Sequence, residues 1–188
     1  MKKIIFILYL FSSSLFAAPL AQKTFHTNHF NEAKKAESFL KFKNTSKQLG
    51  FIKHEYEGYA LDFKIQFQAN KDHYTDLKVD IPVNSIDTDN ADRNKKMREF
   101  CFESNKYPYL TISSNSPIKF SEKEQIVEAQ INLRGIEKTI QISLQADTKE
   151  IRGNARLSFK ALEIPDPSIA IASIQDDIFV DFKIVLTE

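Results

Sequence analysis

Tyr59 to Phe67 reads YALDFKIQF. Tyr59, Leu61, Phe63, Ile65 and Phe67 take every second position, with Ala60, Asp62, Lys64 and Gln66 between them. Successive side chains of an extended chain point to opposite faces, so this period predicts a strand with one apolar and one polar side. The same alternation recurs in LKVDIPV (Leu77 to Val83), VEAQINL (Val127 to Leu133) and IQISLQA (Ile140 to Ala146). It recurs again in ARLSFKA (Ala155 to Ala161) and IFVDFKIVL (Ile178 to Leu186), with shorter pieces at FLKF near Phe39 and at YLTIS. About eight antiparallel strands, each polar on one side only, need a single shared interior. A closed barrel supplies one and removes the exposed edges; a two-sheet sandwich satisfies the same pattern. Either way the class is all-β, and no βαβ rhythm is present.

Turn signals separate several strands: Arg134–Gly135, Arg152–Asn154 and Ile164–Pro167. One segment breaks the alternation. In NSIDTDNADRNKKMREFCFESNKYPYLTIS, Asn84 to Ser113, about a dozen residues turn polar and charged. Thr88 or Asp89 is the expected N-cap of a short helix from Asn90 to Phe100, with Met97 and Phe100 packing it on the sheet. Pro108 returns the chain to strand.

Hydrophobic residues make up 42% and charged residues 27% of the 188, the profile of a globular domain. There are 16 Phe, no Trp and 4 Gly, so apolar walls are built largely from phenylalanine and aliphatic residues. The first residues, MKKIIFILYLFSSSLFAAP, read as a secretory signal peptide: Lys2 and Lys3, an apolar run from Ile4 to Phe11, then small residues. That run is too short for a bilayer, whose core takes about 20 residues. The expected cleavage follows Ala17; the competing reading is a buried N-terminal strand. Residues 1–17 are thus assigned to the signal, 18–36 to an irregular N-terminal arm and 37–188 to the barrel domain. Taking Lys2 and Lys3 from the 26 Lys and Arg leaves 24 against 25 acidic residues, a net charge of −1. Such a surface gives no electrostatic basis for nucleic-acid binding. Cys101 is the single cysteine, so no intrachain disulfide forms, and flanking Phe100 and Phe102 predict that it is buried and inert.

Little in the sequence is catalytic. His26 and His29, three apart, lack the further ligands a metal site needs. Asp176–Asp177 and Asp89–Asp92 sit where carboxylates usually cap or solvate. Asp62, Asp80 and Asp181 fall on the outward face by alternation. No nucleophile elbow, phosphate loop or dinucleotide fingerprint occurs. No catalytic residue, metal ligand or cofactor is assigned.

Five elements in order resemble the YceI-like family, lipocalin-like polyisoprenoid-binding proteins of bacteria. They are QLGF, EGYALDF, VNSIDTDNADRNKKMREFCFESNKYPYLTIS, LRGIEKTIQISL with Gly135 at its turn, and the closing IQDDIFVDFKIVLT. The resemblance implies an eight-stranded antiparallel lipocalin-like barrel with one short helical insert. It also implies an exported, periplasmic binding protein, not an enzyme, whose pore holds a long-chain isoprenoid or similar amphiphilic lipid. On this reading Phe42, Tyr59, Phe63, Phe67, Ile81, Ile112, Phe159 and Phe182 line the pore. Expected partners are that lipid, no nucleic acid, no stable membrane insertion once the signal is removed, and a homodimer as an open option. A packed barrel that binds a partner protein through the Asn90–Phe100 helix is the alternative, and a lipid-modifying enzyme a third.

Overall fold

The computed structural model describes residues 19–114 and 116–187; residues 1–17, read from the sequence as a signal peptide, lie outside them. The chain is built from antiparallel strands. In order these are β1 (Leu20–His26), β2 (Phe39–Gln48), β3 (Ile52–Ala60), β4 (Asp62–Ala69), β5 (His73–Pro82), β6 (Ile86–Asp87) and β7 (Tyr109–Ser113). β8 (Ile118–Lys119), β9 (Ser121–Leu133), β10 (Ile136–Ala146), β11 (Glu150–Ser158), β12 (Ala172–Ile174) and β13 (Asp177–Val185) follow. Two short helices are α1 (Phe30–Ala33) and α2 (Ala91–Lys96).

Pairing runs β4–β5–β7–β9–β10–β11–β13–β2–β3. β3 and β4 are separated only by Leu61, so they are two halves of one bent strand, and the ring closes through it with eight positions. On one side of this strand β2 pairs with β3 and β1 with β4. On the other side β6 pairs with β3 and β5 with β4. The barrel expected from the alternation is therefore present, with short extra strands at its ends.

The bend has a consequence for every side chain near it. Gly58 and Ala60 are buried toward the interior in β3, whereas Phe63, Ile65 and Phe67 are buried in β4. The facing parity slips by one residue at Leu61, as it does at a bulge. Tyr59 and Leu61 consequently turn outward, where α1 covers them: Tyr59 meets the Phe30 ring edge-on at 5.2 Å. A second slip occurs in β5, where Asp76 takes φ 51° and the β4–β5 register shifts opposite Phe67. Each such slip bends the sheet, which closure of a small barrel demands.

Three sequence expectations need correction. The N-terminal arm is regular: β1 pairs residue for residue with β4, and Phe25 stacks on Phe63 at 4.5 Å. Its polar–apolar alternation is real but weak, with Ala21 and Phe25 as its only sizeable contacts with the core. Arg152–Asn154 is not a turn but lies within β11; the chain reverses earlier, where Asp147 accepts from the backbone N–H of Lys149 and Glu150. Phe100 is exposed, because Met97–Cys101 forms a π-type turn with Phe102 N–H donating to Met97 C=O. The wider turn rotates the helix face and brings Cys101 and Phe102 inward in its place.

The turn at Arg134–Gly135 forms as expected, with φ of 56° and 73° joining β9 to β10. Two successive residues at positive φ give the backbone twist that a two-residue hairpin requires.

Candidate functional site: a half-filled barrel

The interior is divided along its length. At one end Phe67, Tyr74, Val79, Ile118, Val127, Leu144, Ile151 and Ile184 form a packed core, with Phe25 and Phe120 against it. Tyr74 is held from two sides, by Phe67 at 5.0 Å and Phe120 at 4.8 Å, and its hydroxyl donates to Asp147 C=O at 2.7 Å. The other end is hollow. A cavity of about 450 Å³ is walled by inward residues of β2, β9, β10, β11 and β13, including Leu40, Ile131, Ile140, Ala155 and Val180. That volume lies within the usual range for small-molecule sites, roughly 300–1,000 Å³.

Five of the eight sequence-assigned pore residues meet in this cavity: Phe42, Ile81, Ile112, Phe159 and Phe182. The other three do not. Tyr59 is outside the barrel because of the slip at Leu61. Phe63 borders a separate hollow of about 180 Å³ between the N-terminal strand, α1 and the barrel wall. Phe67 is in the packed core and borders neither space. Alternation alone placed these three, with Leu61 and Ile65, on one continuous interior, but the bend divides them.

Two glycines keep the hollow half open. Gly58 lies directly across the ladder from Phe42, and a Cβ there would sit 2.3 Å from the Phe42 ring. Gly153 lies across from Phe182, and a Cβ there would be 2.8 Å from that ring and 2.3 Å from Ser143 C=O. Each ring lies back over a neighbour without a side chain, against the wall instead of across the lumen.

The mouth is roofed by α2 with its π-type turn and by the segment from Phe159 to Ile174. Met97, Cys101 and Phe102 close the roof from the helix side; Leu162, Ile164 and Ile169 close it from the loop. Lys96 Nζ donates to Pro167 C=O and ties the two parts together. The helix is set by the SIDT segment. Ser85 Oγ donates to Pro82 C=O at 2.8 Å and to Asp62 C=O at 3.1 Å. Thr88, buried, donates from both its backbone N–H and Oγ1 to Asn94 Oδ1, while Asn94 Nδ2 donates to Asp87. The cap itself is Asn90, which accepts from Arg93 N–H, so the helix begins one residue beyond the expected caps.

The charged groups Asp92, Arg93 and Lys96 cluster at the mouth. Arg93, Lys96, Asp92 and Tyr56 border it, with the Arg93 guanidinium over the Tyr56 ring at 4.3 Å. Burial pushes the Tyr56 phenol up to about 12, so it is a neutral donor at ordinary pH. Directly across the ladder from Tyr56, Asn44 is 3% exposed. Its Nδ2 donates to Gln175 C=O at 3.0 Å and Asp177 C=O at 2.8 Å, pinning the start of β13, and its Oδ1 has no partner.

Sequence reading missed Asn44, Tyr56 and the roof. Asn44 shares the parity of Leu40 and Phe42, the one available signal; the roof's IAIASI run carries apolar residues without strand alternation.

Of the acidic residues considered for catalysis, Asp92 borders the mouth, and the three strand carboxylates are elsewhere. Asp62 pairs with His26, Asp80 lies beside Lys64 and Lys78, and Asp181 lies beside Lys41, all outside the cavity. His29 caps α1 by accepting from Glu32 N–H. Among the described residues no three His, Cys, Asp or Glu side chains are placed to hold a metal ion. Cys101 is buried in the cavity roof, and burial pushes its thiol up to about 11.

Comparison with curated protein sequences gives no match. Comparison with solved structures gives three informative similarities. Burkholderia cenocepacia BcnA is 18% identical, with a TM-score of 0.63 over 79% of this chain and 96% of its own. A polyisoprenoid-binding domain from Saccharophagus degradans is 17% identical, with a TM-score of 0.57 over 78% and 91%. The Campylobacter jejuni YCEI protein is 14% identical, with a TM-score of 0.54 over 70% and 85%. At these identities the likeness is one of fold. The family model for the YceI-like domain matches residues 31–186, from α1 to the end of the last strand, and the chain belongs to that family.

Proposed function

We propose that this protein is an exported, periplasmic binding protein that carries or stores a long-chain isoprenoid or similar amphiphilic lipid in the hollow half of its barrel. One observation carries the reading: a cavity of about 450 Å³ with an almost entirely apolar wall and the charged side chains of Asp92, Arg93 and Lys96 at its mouth. Water gains little in such a space, whereas an apolar chain gains roughly 25 cal/mol for each Å² it buries. Arg93 and Lys96 at the rim suit an anionic head group, and the neutral Tyr56 hydroxyl adds a donor. The membership of the family and the polyisoprenoid-binding neighbour support the lipid class. The N-terminal segment of the sequence supports export. The site residues offered for the lipid are Phe42, Ile81, Ile112, Phe159 and Phe182.

Binding, not catalysis, is the reading because the charged groups that border the apolar space, Asp92, Arg93 and Lys96, stand at its mouth, and burial keeps the Cys101 thiol protonated. The test is mass spectrometry of lipid extracted from protein purified from the exported fraction, followed by titration with polyprenol and polyprenyl phosphate. A long-chain species recovered at near-stoichiometric amount is expected. Empty protein that also fails to bind either added lipid would overturn the proposal.

A further inference from the structure

The β2–β3 hairpin ends in an unusual way. Leu49 (φ 52°) and Gly50 (φ 80°) are the central residues of its turn, with Phe51 N–H donating to Gln48 C=O at 3.3 Å, a geometry that favours Asn or Gly at the first position. A leucine there is strained, and it is 59% exposed, beside Phe51 at 75%. Ile52, Ile169 and Ile171 are exposed as well. These residues form one patch: Leu49 N–H donates to Ile171 C=O at 2.8 Å, and β12 pairs with β2 at Gln48. Single exposed apolar side chains are ordinary, but a contiguous patch of five large ones marks an interaction surface.

The patch borders the cavity mouth, since Ile169, Ala172 and Ile174 line both the roof and its edge. Behind the hairpin tip, Lys47 and Lys53 lie directly opposite each other across the ladder. Like charges so placed repel. Neither enters a salt bridge among the described residues, in contrast to Lys34, Lys41, Lys64, Lys78, Lys138 and Lys183. An apolar tip with an unneutralised basic collar is the arrangement that enters a lipid surface and holds anionic head groups around it.

We infer that the Leu49–Ile52 hairpin tip and the Ile169–Ile171 loop dock this protein reversibly on an anionic lipid bilayer, with the cavity mouth against the membrane. The inference rests on the lipid-binding reading, because an amphiphile with almost no water solubility has to pass between bilayer and cavity under cover. Charge complementarity decides for a membrane over a second copy, because a two-fold interface centred on the tip would bring Lys47 and Lys53 of both copies together with no acidic group of the patch to offset them.

The test is flotation of the mature protein with vesicles of phosphatidylglycerol and phosphatidylethanolamine, and with vesicles of phosphatidylcholine alone. The variants are L49D/F51D, K47E/K53E and, as a control at an exposed apolar site on β9, I126D. Wild type and I126D are expected to float with the anionic vesicles. L49D/F51D and K47E/K53E should bind at least tenfold more weakly, and the phosphatidylcholine vesicles should retain little of any form. Circular dichroism confirms that each variant is folded. Separately, polyprenol supplied in detergent should load all four proteins equally. Unchanged flotation of L49D/F51D, or no flotation of wild type, overturns docking. So does sedimentation showing a dimer that L49D/F51D dissolves, which would make a second copy the occupant. Failure of wild type to load from detergent refutes lipid carriage instead, and leaves the flotation result to decide docking on its own.

Discussion

Replacing Phe67 and Phe182 by alanine separates the two halves of the barrel. Both are inward phenylalanines on long strands, and alternation makes them equivalent. Phe67 is 8% exposed, sits edge-on to Tyr74 at 5.0 Å and borders no open space. Its removal leaves a new void among side chains that are pinned, since Tyr74 is also fixed by its bond to Asp147 C=O. Loss of a packed core aromatic costs about 3–5 kcal/mol. For a domain of this size each kcal/mol lowers Tm by about 2–4 °C, so Phe67→Ala should melt about 6–20 °C early. Phe182 already borders the 450 Å³ cavity and packs only in part against the core. Its contacts with the core and over Gly153 are lost, roughly half of the loss at Phe67, or about 1.5–2.5 kcal/mol. Phe182→Ala should therefore melt about 3–10 °C early. The assay is thermal and urea unfolding of lipid-stripped protein, with polyprenol loading measured in parallel. Phe67→Ala should load normally below its melting point, and Phe182→Ala should load with altered affinity. Equal destabilisation by the two, or the larger loss at Phe182, would refute the division into a packed and a hollow half.

Other outcomes follow from the same geometry. Gly58→Ala should fold but load less lipid, because the new Cβ drives the Phe42 ring from its resting place and the free volume it borders is the cavity; a crystal structure with Phe42 unmoved would contradict this. Cys101 should resist alkylation at pH 8 until the barrel is unfolded, since its thiol is buried and pushed up to about 11; rapid labelling of native protein would show an open roof. Lowering the pH should weaken the fold. Hydrogen bonds from Lys34 to Glu57, Arg134 to Glu103, Lys149 N–H to Asp147 and Arg156 to Asp177 hold these carboxyls below their ordinary range. Groups depressed in the folded state contribute stability above their unfolded values near 4, and that contribution disappears as pH falls through the folded ones. The urea midpoint should thus be lower at pH 3 than at pH 7, modestly because these pairs are exposed. His26 acts in the opposite sense: its bond to Asp62 raises it, so its help in holding β1 on β4 is present below about 6.5 and lost as pH rises through the folded value. Amide exchange in β1 should accelerate from pH 6 to pH 8.5 beyond the intrinsic rate.

Much of this protein was legible in its sequence because period two is a local property. VEAQINL, IQISLQA and IFVDFKIVL each announce a strand and its buried face without reference to anything distant, and the structure buries Val127, Ala129, Ile131, Leu133, Leu144 and Ile184 accordingly. The Arg134–Gly135 hairpin and the polar helix after SIDT are local in the same way, since turn geometry and capping involve residues three or four apart. What only the tertiary structure decided depends on pairings between segments far apart in the chain. The slip at Leu61 exists because one strand must serve β2 and β6 at one end and β1 and β5 at the other, and no residue between Tyr59 and Phe67 signals it. β1 becomes a strand because the upper half of that bent strand would otherwise present an unpaired edge. Whether the interior is filled or hollow is likewise a sum over all eight walls: the same phenylalanines pack solid where Tyr74 and Phe120 meet them, and stand back from an open lumen where Gly58 and Gly153 face them across the ladder.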